Sequence, residues 1–197
     1  MSRFPIHTLD SAPEASKPRL LALQQSVGMI PNLAAGMAES PSLLEGFLAI
    51  RETYQNGTLS AAEIQVLSLT AAFENDCAWC LAFHSLMARK EGVSADVVDV
   101  LRAGDSPADA RFGPLSDFAR AMVRGRGAVG EAERTRFHAA GYTPAQALEV
   151  VLGMAFSLMA NYSGHLVNAP LNQPLEAHAW HRATSHGAHS EPALAAR

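Results

Sequence analysis

A chain of 197 residues is long enough to bury a hydrophobic core of its own. Its formal net charge of −4, from 15 basic and 19 acidic residues, lacks the basic excess of a nucleic-acid-binding surface. Charged residues reach only 17%, against ~25% in an ordinary soluble domain, and aromatics only 7% in a chain rich in Ala and Leu. That balance favours helix, argues against a β-sandwich, and leaves apolar surface for contact between subunits.

Residues 1–12 read as an extended segment, with Pro5 and Pro13 as punctuation. A helix around Ala15–Val27 stops at Gly28, where glycine supplies a left-handed cap. Pro31 opens a short helix, and Pro41 a longer one through Leu44, Phe47, Leu48 and Tyr54 to Asn56-Gly57. Ser60-x-x-Glu63 is a capping box, and the run Ile64 to Leu69 behind it reads as a buried helix ending near Asn75-Asp76. The next helix holds Cys77 to Glu91 and stops at Gly92; Ser94 then caps Ala95–Ala103. Pro114–Arg126 and Gly130–Ala140 form two more, and Thr143-Pro144 opens a long apolar helix to about Val167.

The most apolar run in that helix, Val150 to Ala160, has 11 residues, short of the ~20 a membrane span needs. No apolar stretch follows Met1-Ser2-Arg3-Phe4-Pro5 as it would in a secretory signal. The expectation is one all-α domain over residues 1–197, cytoplasmic and free of membrane, with a flexible tail over 182–197. His178, His181, His186 and His189 read as histidines without partner spacing.

Chemistry concentrates in Cys77-Ala78-Trp79-Cys80-Leu81-Ala82-Phe83-His84. On a helix, Cys77, Cys80 and His84 fall on one face within an arc of about 60°. A thiol in the first turn meets unpaired amides and the positive end of the helix dipole, which stabilise a thiolate. His84, one turn beyond Cys80, can exchange a proton with it. Two thiols able to close a disulfide beside an imidazole make a redox unit. Two other readings stand beside this one. The cysteines can be inert core residues. Alternatively, Cys77, Cys80 and His84 can bind zinc, for which only His165 offers a fourth ligand. Gly125-Arg126-Gly127 lacks the strand and the full G-x-G-x-x-G of a dinucleotide site, so no cofactor is expected and a reductant has to dock from outside.

The run Leu59-Ser60-x-x-Glu63-x-Gln65-x₁₁-Cys77-x-x-Cys80-x₃-His84-Ser85 resembles the AhpD-like family of alkylhydroperoxidases and carboxymuconolactone decarboxylase-domain proteins. Two flanking segments resemble its uncharacterised peroxidase-related branch: Met29-Ile30-Pro31-Asn32-Leu33, and Asn161-Tyr162-x-x-His165-x-x-Asn168-x-Pro170-Leu171. The resemblance implies an all-α, AhpD-like helical domain with the C-x-x-C at the N-terminus of a core helix. It implies reduction of small alkyl hydroperoxides, with Cys80 attacking, Cys77 resolving and His84 as the motif histidine. It also implies a homo-oligomer, a trimer or hexamer, and an external thiol reductant of lipoyl-protein or thioredoxin-like type.

In the best-known members a glutamate 12 residues before the first cysteine joins a proton relay; here that residue is Gln65, which cannot carry a proton at neutral pH. Some members carry a histidine where Trp79 stands, and Trp79 reads as a packing or pocket-lining residue. Glu63 points away from Gln65 and is explained by capping. Glu74 and His165 are the remaining auxiliary candidates. A non-enzymatic redox sensor or interaction subunit is the alternative from another class. Lactone decarboxylation is a third, although decarboxylases of this superfamily do not rely on a redox C-x-x-C.

Overall fold

The computed structural model describes residues 4–182. Its helices are α1 (Lys17–Val27), α2 (Asn32–Met37), α3 (Pro41–Gln55), α4 (Ala61–Glu74), α5 (Ala78–Lys90), α6 (Ala95–Ala103), α7 (Phe112–Arg124), α8 (Glu131–Ala139) and α9 (Pro144–Val167). Short 3₁₀ turns at Glu14–Ser16 and Gln173–His178 flank this series, and no strand occurs among the described residues.

Helix α4 is the centre of the arrangement. Every residue from Glu63 to Ala72 is buried, because α5, α6, α7 and α9 pack around it. Apolar residues lie on every side of this helix, so it has to be enclosed in this way, with Glu63, Gln65, Ser68 and Thr70 buried among them. Val66, Leu67 and Leu69 are fully shielded from solvent, each contributing about 1.5–3 kcal/mol through burial. The Ser60–Glu63 capping box forms as the sequence implied, and the Glu63 carboxylate also receives Arg111 Nη2 at 2.7 Å. Its buried charge is thereby satisfied, and its pKa is held below the usual carboxylate range despite its burial, by bonds from Arg111 and Ser60.

Helix α7 starts two residues before the expected Pro114. Asp109 Oδ1 accepts from the amides of Arg111 (2.9 Å) and Phe112 (2.8 Å), so the helix begins at Phe112 with Pro114 inside its first turn. Proline is tolerated there, where its missing N–H has no intrahelical partner. The left-handed Gly104 that ends α6 (φ 84°) also leaves room for the Phe73 ring, 2.2 Å from where a Cβ would stand.

By length and composition alone α9, with 24 residues, could cross a membrane, although 44% of its apolar window is buried inside the molecule. It lies against α2, α3 and α4. Its outward side leaves Leu148, Val151, Leu158, Tyr162 and Leu166 exposed.

Residues 168–182, to which the sequence assigned no element, fold back over α5. Arg102 holds this segment by donating to the carbonyls of His178 (3.0 Å) and Ala179 (2.9 Å), and Trp180 Nε1 donates to Arg102 O (2.9 Å). Arg182 closes the segment onto Asp76 Oδ1 at 2.9 Å and lies over the Phe73 ring. Of the expected 182–197 tail, only Arg182 falls within the described residues.

Candidate active site

The turn between α4 and α5 determines where the first thiol stands. Ala72 O accepts from Cys77 N (2.9 Å) and Phe73 O from Asp76 N (3.1 Å), with Asp76 in the left-handed region at φ 56°. Cys77 is then the N-cap of α5, and its Sγ accepts from Cys80 N at 3.3 Å. The two cysteines are joined as a disulfide with a Cα–Cα separation of 5.3 Å, and both are buried, at 3% and 1% exposure. Once reduced, thiols at the N-cap and in the first turn would sit among free amide donors, a setting that favours thiolate.

His84 is buried one turn beyond Cys80, and its Nδ1 lies 2.8 Å from Gln65 Oε1. An amide oxygen can only accept, so Nδ1 carries the proton and Nε2 is left with a free lone pair. Burial, assisted by the charge of Arg51, pushes the His84 pKa down to about 4. Near pH 7 the ring is therefore neutral, a proton acceptor rather than a cation.

Cys80, His84 and Gln65 line one cavity of about 190 Å³, walled by Phe47, Phe83 and Phe156 among others. Cys77 lines a different one, of about 330 Å³, with Asp76, His165, Trp180 and His181. Trp79 belongs to both cavities and stacks on Phe83 with ring centroids 5.3 Å apart. The helical-face argument had put both thiols and the imidazole on one side. The N-cap position instead turns Cys77 towards α9, where Gly164 leaves room for its sulfur: a Cβ there would stand 2.9 Å from Sγ.

The auxiliary candidates separate clearly. Gln65 touches His84 directly. His165 lies in the Cys77 cavity and donates from Nε2 to Asn75 O at 2.6 Å, bracing the turn before Cys77. Glu74 lines neither cavity; its side chain is buried between Arg120 (3.1 Å) and Arg124 (2.7 Å). Among the described residues no three His, Cys, Asp or Glu side chains gather as a metal site.

Sequence reasoning passed over Arg51, Trp180 and His181. His181, read as a tail residue, lines the Cys77 cavity. The two flanking segments that resembled the peroxidase-related branch meet in space: Asn32 Nδ2 donates to Pro170 O (3.0 Å), and Asn172, just beyond the second segment, accepts at Oδ1 from Asn32 N (2.8 Å).

Residues 41–114 match the carboxymuconolactone decarboxylase family, a span holding Gln65, both cysteines and His84. No curated protein matches the sequence significantly. A structure described as an AhpD core, an uncharacterised peroxidase-related protein from Ralstonia eutropha JMP134, superposes with a TM-score of 0.78 at 23% identity, over 88% of this chain and 94% of that one. A peroxidase-related protein from Silicibacter sp. TM1040 gives 0.73 at 21% identity, over 88% and 92%. The debrominase Bmp8, without ligand, gives 0.72 at 15% identity, over 88% and 94%. At these identities the likeness concerns the fold.

Proposed function

We propose that the protein is a thiol-dependent peroxidase of small organic hydroperoxides, a reading supported by the likeness of its fold to the AhpD core and by the match of residues 41–114 to the carboxymuconolactone decarboxylase family. The observation that carries this reading is the pairing of Cys77 with Cys80, in which Cys80 shares an apolar cavity with a neutral, buried His84.

In the reduced protein, His84 Nε2 accepts the Cys80 proton. The thiolate attacks the terminal oxygen of ROOH, so the S–O bond forms as the O–O bond breaks. The departing alkoxide takes the proton back from His84 and leaves as ROH. Cys77 then attacks the Cys80 sulfenic acid, water departs, and the disulfide seen here is the product. The balance is ROOH plus two thiols giving ROH, water and a disulfide. An external dithiol, of lipoyl or thioredoxin-like type, returns two electrons by attacking Cys77 from the larger cavity, with Cys80 as the leaving thiolate. Separate openings onto the two sulfurs keep peroxide and reductant from competing for one entrance.

Gln65 favours a second reading, that of a redox sensor. It offers the imidazolium no counter-charge, which slows any step needing a protonated His84. Loss of both thiols and two hydrogens from the reduced protein, on adding one equivalent of hydroperoxide with a dithiol sustaining turnover, is the result expected of the peroxidase. A Cys80→Ser protein that kept full turnover would refute it. Oxidation without turnover would leave the sensor. The exposed α9 residues Leu148, Val151, Leu158, Tyr162 and Leu166 support a homo-oligomer built through that face; sedimentation as a monomer at micromolar concentration would count against it.

A further inference from the structure

The Arg51 side chain makes no hydrogen bond or ion pair with any described residue, although it is half-buried. Of the charged residues near it, Arg19 is paired with Glu45, and Glu52 makes no ion pair with Arg51. Phe47, Arg51, Tyr54 and Gln55 form one stripe of α3 at helical spacing, and all four line the cavity that holds Cys80. Two cations, Arg51 and the exposed Lys90, border that cavity, and among the described residues no carboxylate does. Arg51 also borders an outer cleft of about 200 Å³, so it stands in the wall between the Cys80 cavity and the surface. A partly desolvated charge without a partner is costly, and a planar guanidinium is built to receive a carboxylate.

Building on the peroxidase reading, we propose that Arg51 is the anion anchor of the substrate site, and that the substrate is a small carboxylate-bearing hydroperoxide. Its carboxylate sits on Arg51, its apolar body lies against Phe47, Phe83 and Phe156, and its hydroperoxide end reaches Cys80. Size limits the body to about one ring, since an apolar cavity of roughly 150 Å³ takes up benzene and this one measures about 190 Å³. Binding also assists the chemistry. Burial is the larger cause of the low His84 pKa and Arg51 the lesser; a carboxylate on Arg51 offsets that lesser part, so the base strengthens when the substrate arrives.

The test compares cumene hydroperoxide with its para-carboxylate, dithiothreitol serving as reductant, in the full-length protein and in Arg51→Met and Arg51→Lys. The natural protein should favour the carboxylate by roughly 10–100-fold in kcat/KM, the range of a charged hydrogen bond. Arg51→Met should abolish that preference and Arg51→Lys retain part of it. Binding of the unreactive 4-isopropylbenzoate, followed by calorimetry, should weaken in the same order. A preference that is absent from the natural protein, or that survives in Arg51→Met, overturns the proposal. Benzoate binding that depends on Arg51 while neither hydroperoxide turns over would sustain the anion site and refute the peroxidase reading instead.

Discussion

Replacing Gln65 by glutamate sets a carboxylate where an amide oxygen now lies 2.8 Å from His84 Nδ1. With charge centres about 4 Å apart and an effective dielectric near 20, the attraction to an imidazolium is about 4 kcal/mol, or about 3 pKa units. Bringing the carboxylate out of water offsets part of this, so a net rise of about 1–3 units is expected. His84, now at about 4, would then titrate between about 5 and 7. The ring would gain the ability to hold the Cys80 proton near neutrality and return it to the departing alkoxide. Two measurements follow the effect: the His84 Hε1 shift against pH by NMR, and the pH profile of peroxide consumption. Both should move together, with a faster reaction at pH 6–7 in Gln65→Glu. A His84 pKa within half a unit of its present value, with an unmoved rate profile, would refute the electrostatic account of this site.

The depressed His84 pKa also predicts a stability effect. In the unfolded chain the ring takes up a proton below about pH 6.5, whereas the folded protein resists until about 4. Stability is therefore full above 6.5 and falls by about 3 kcal/mol as pH drops through that window, a loss that His84→Leu should remove in urea titrations at pH 7 and 4.5. Glu74→Gln should destabilise by roughly 1–3 kcal/mol by depriving Arg120 and Arg124 of their carboxylate, read by denaturation, and peroxide turnover should persist in the folded variant. Gly164→Ala places a methyl group 2.9 Å from Cys77 Sγ. It should cost about 1–3 kcal/mol through overpacking and slow reduction of the disulfide by dithiothreitol more than its formation by peroxide; equal effects on both half-reactions would contradict separate access to the two sulfurs.

Most helix boundaries were legible in the sequence because caps act within a few residues of where they are written. Ser60 with Glu63, Thr143 with Gln146, Ser94 and the glycines at 28 and 104 each close a helix end by a contact spanning three or four positions. The kinship of Cys80 with His84 was legible for the same reason, one helical turn being a local distance. Continuous burial along α4 followed from the apolar run Ile64 to Leu69 in part only, since Glu63, Gln65, Ser68 and Thr70 are buried with it.

What the sequence by itself determined was a set of helices, their apolar faces, and a dithiol with its histidine at the head of one of them. Only tertiary packing decided that the two sulfurs face different cavities, since that depends on α9 presenting Gly164 at the level of Cys77. It also decided that Glu74 is occupied by arginines 46 and 50 residues away, and that Arg51 meets no acid among the described residues. Residues 168–182 carried no periodic signal, yet Arg102, 76 residues from His178, fixes them through backbone carbonyls that look alike in any sequence. Periodicity and caps report contacts within one helix. The partners of a buried charge or a cavity wall come from other helices, and their pairing is set by how the apolar faces fit together in three dimensions.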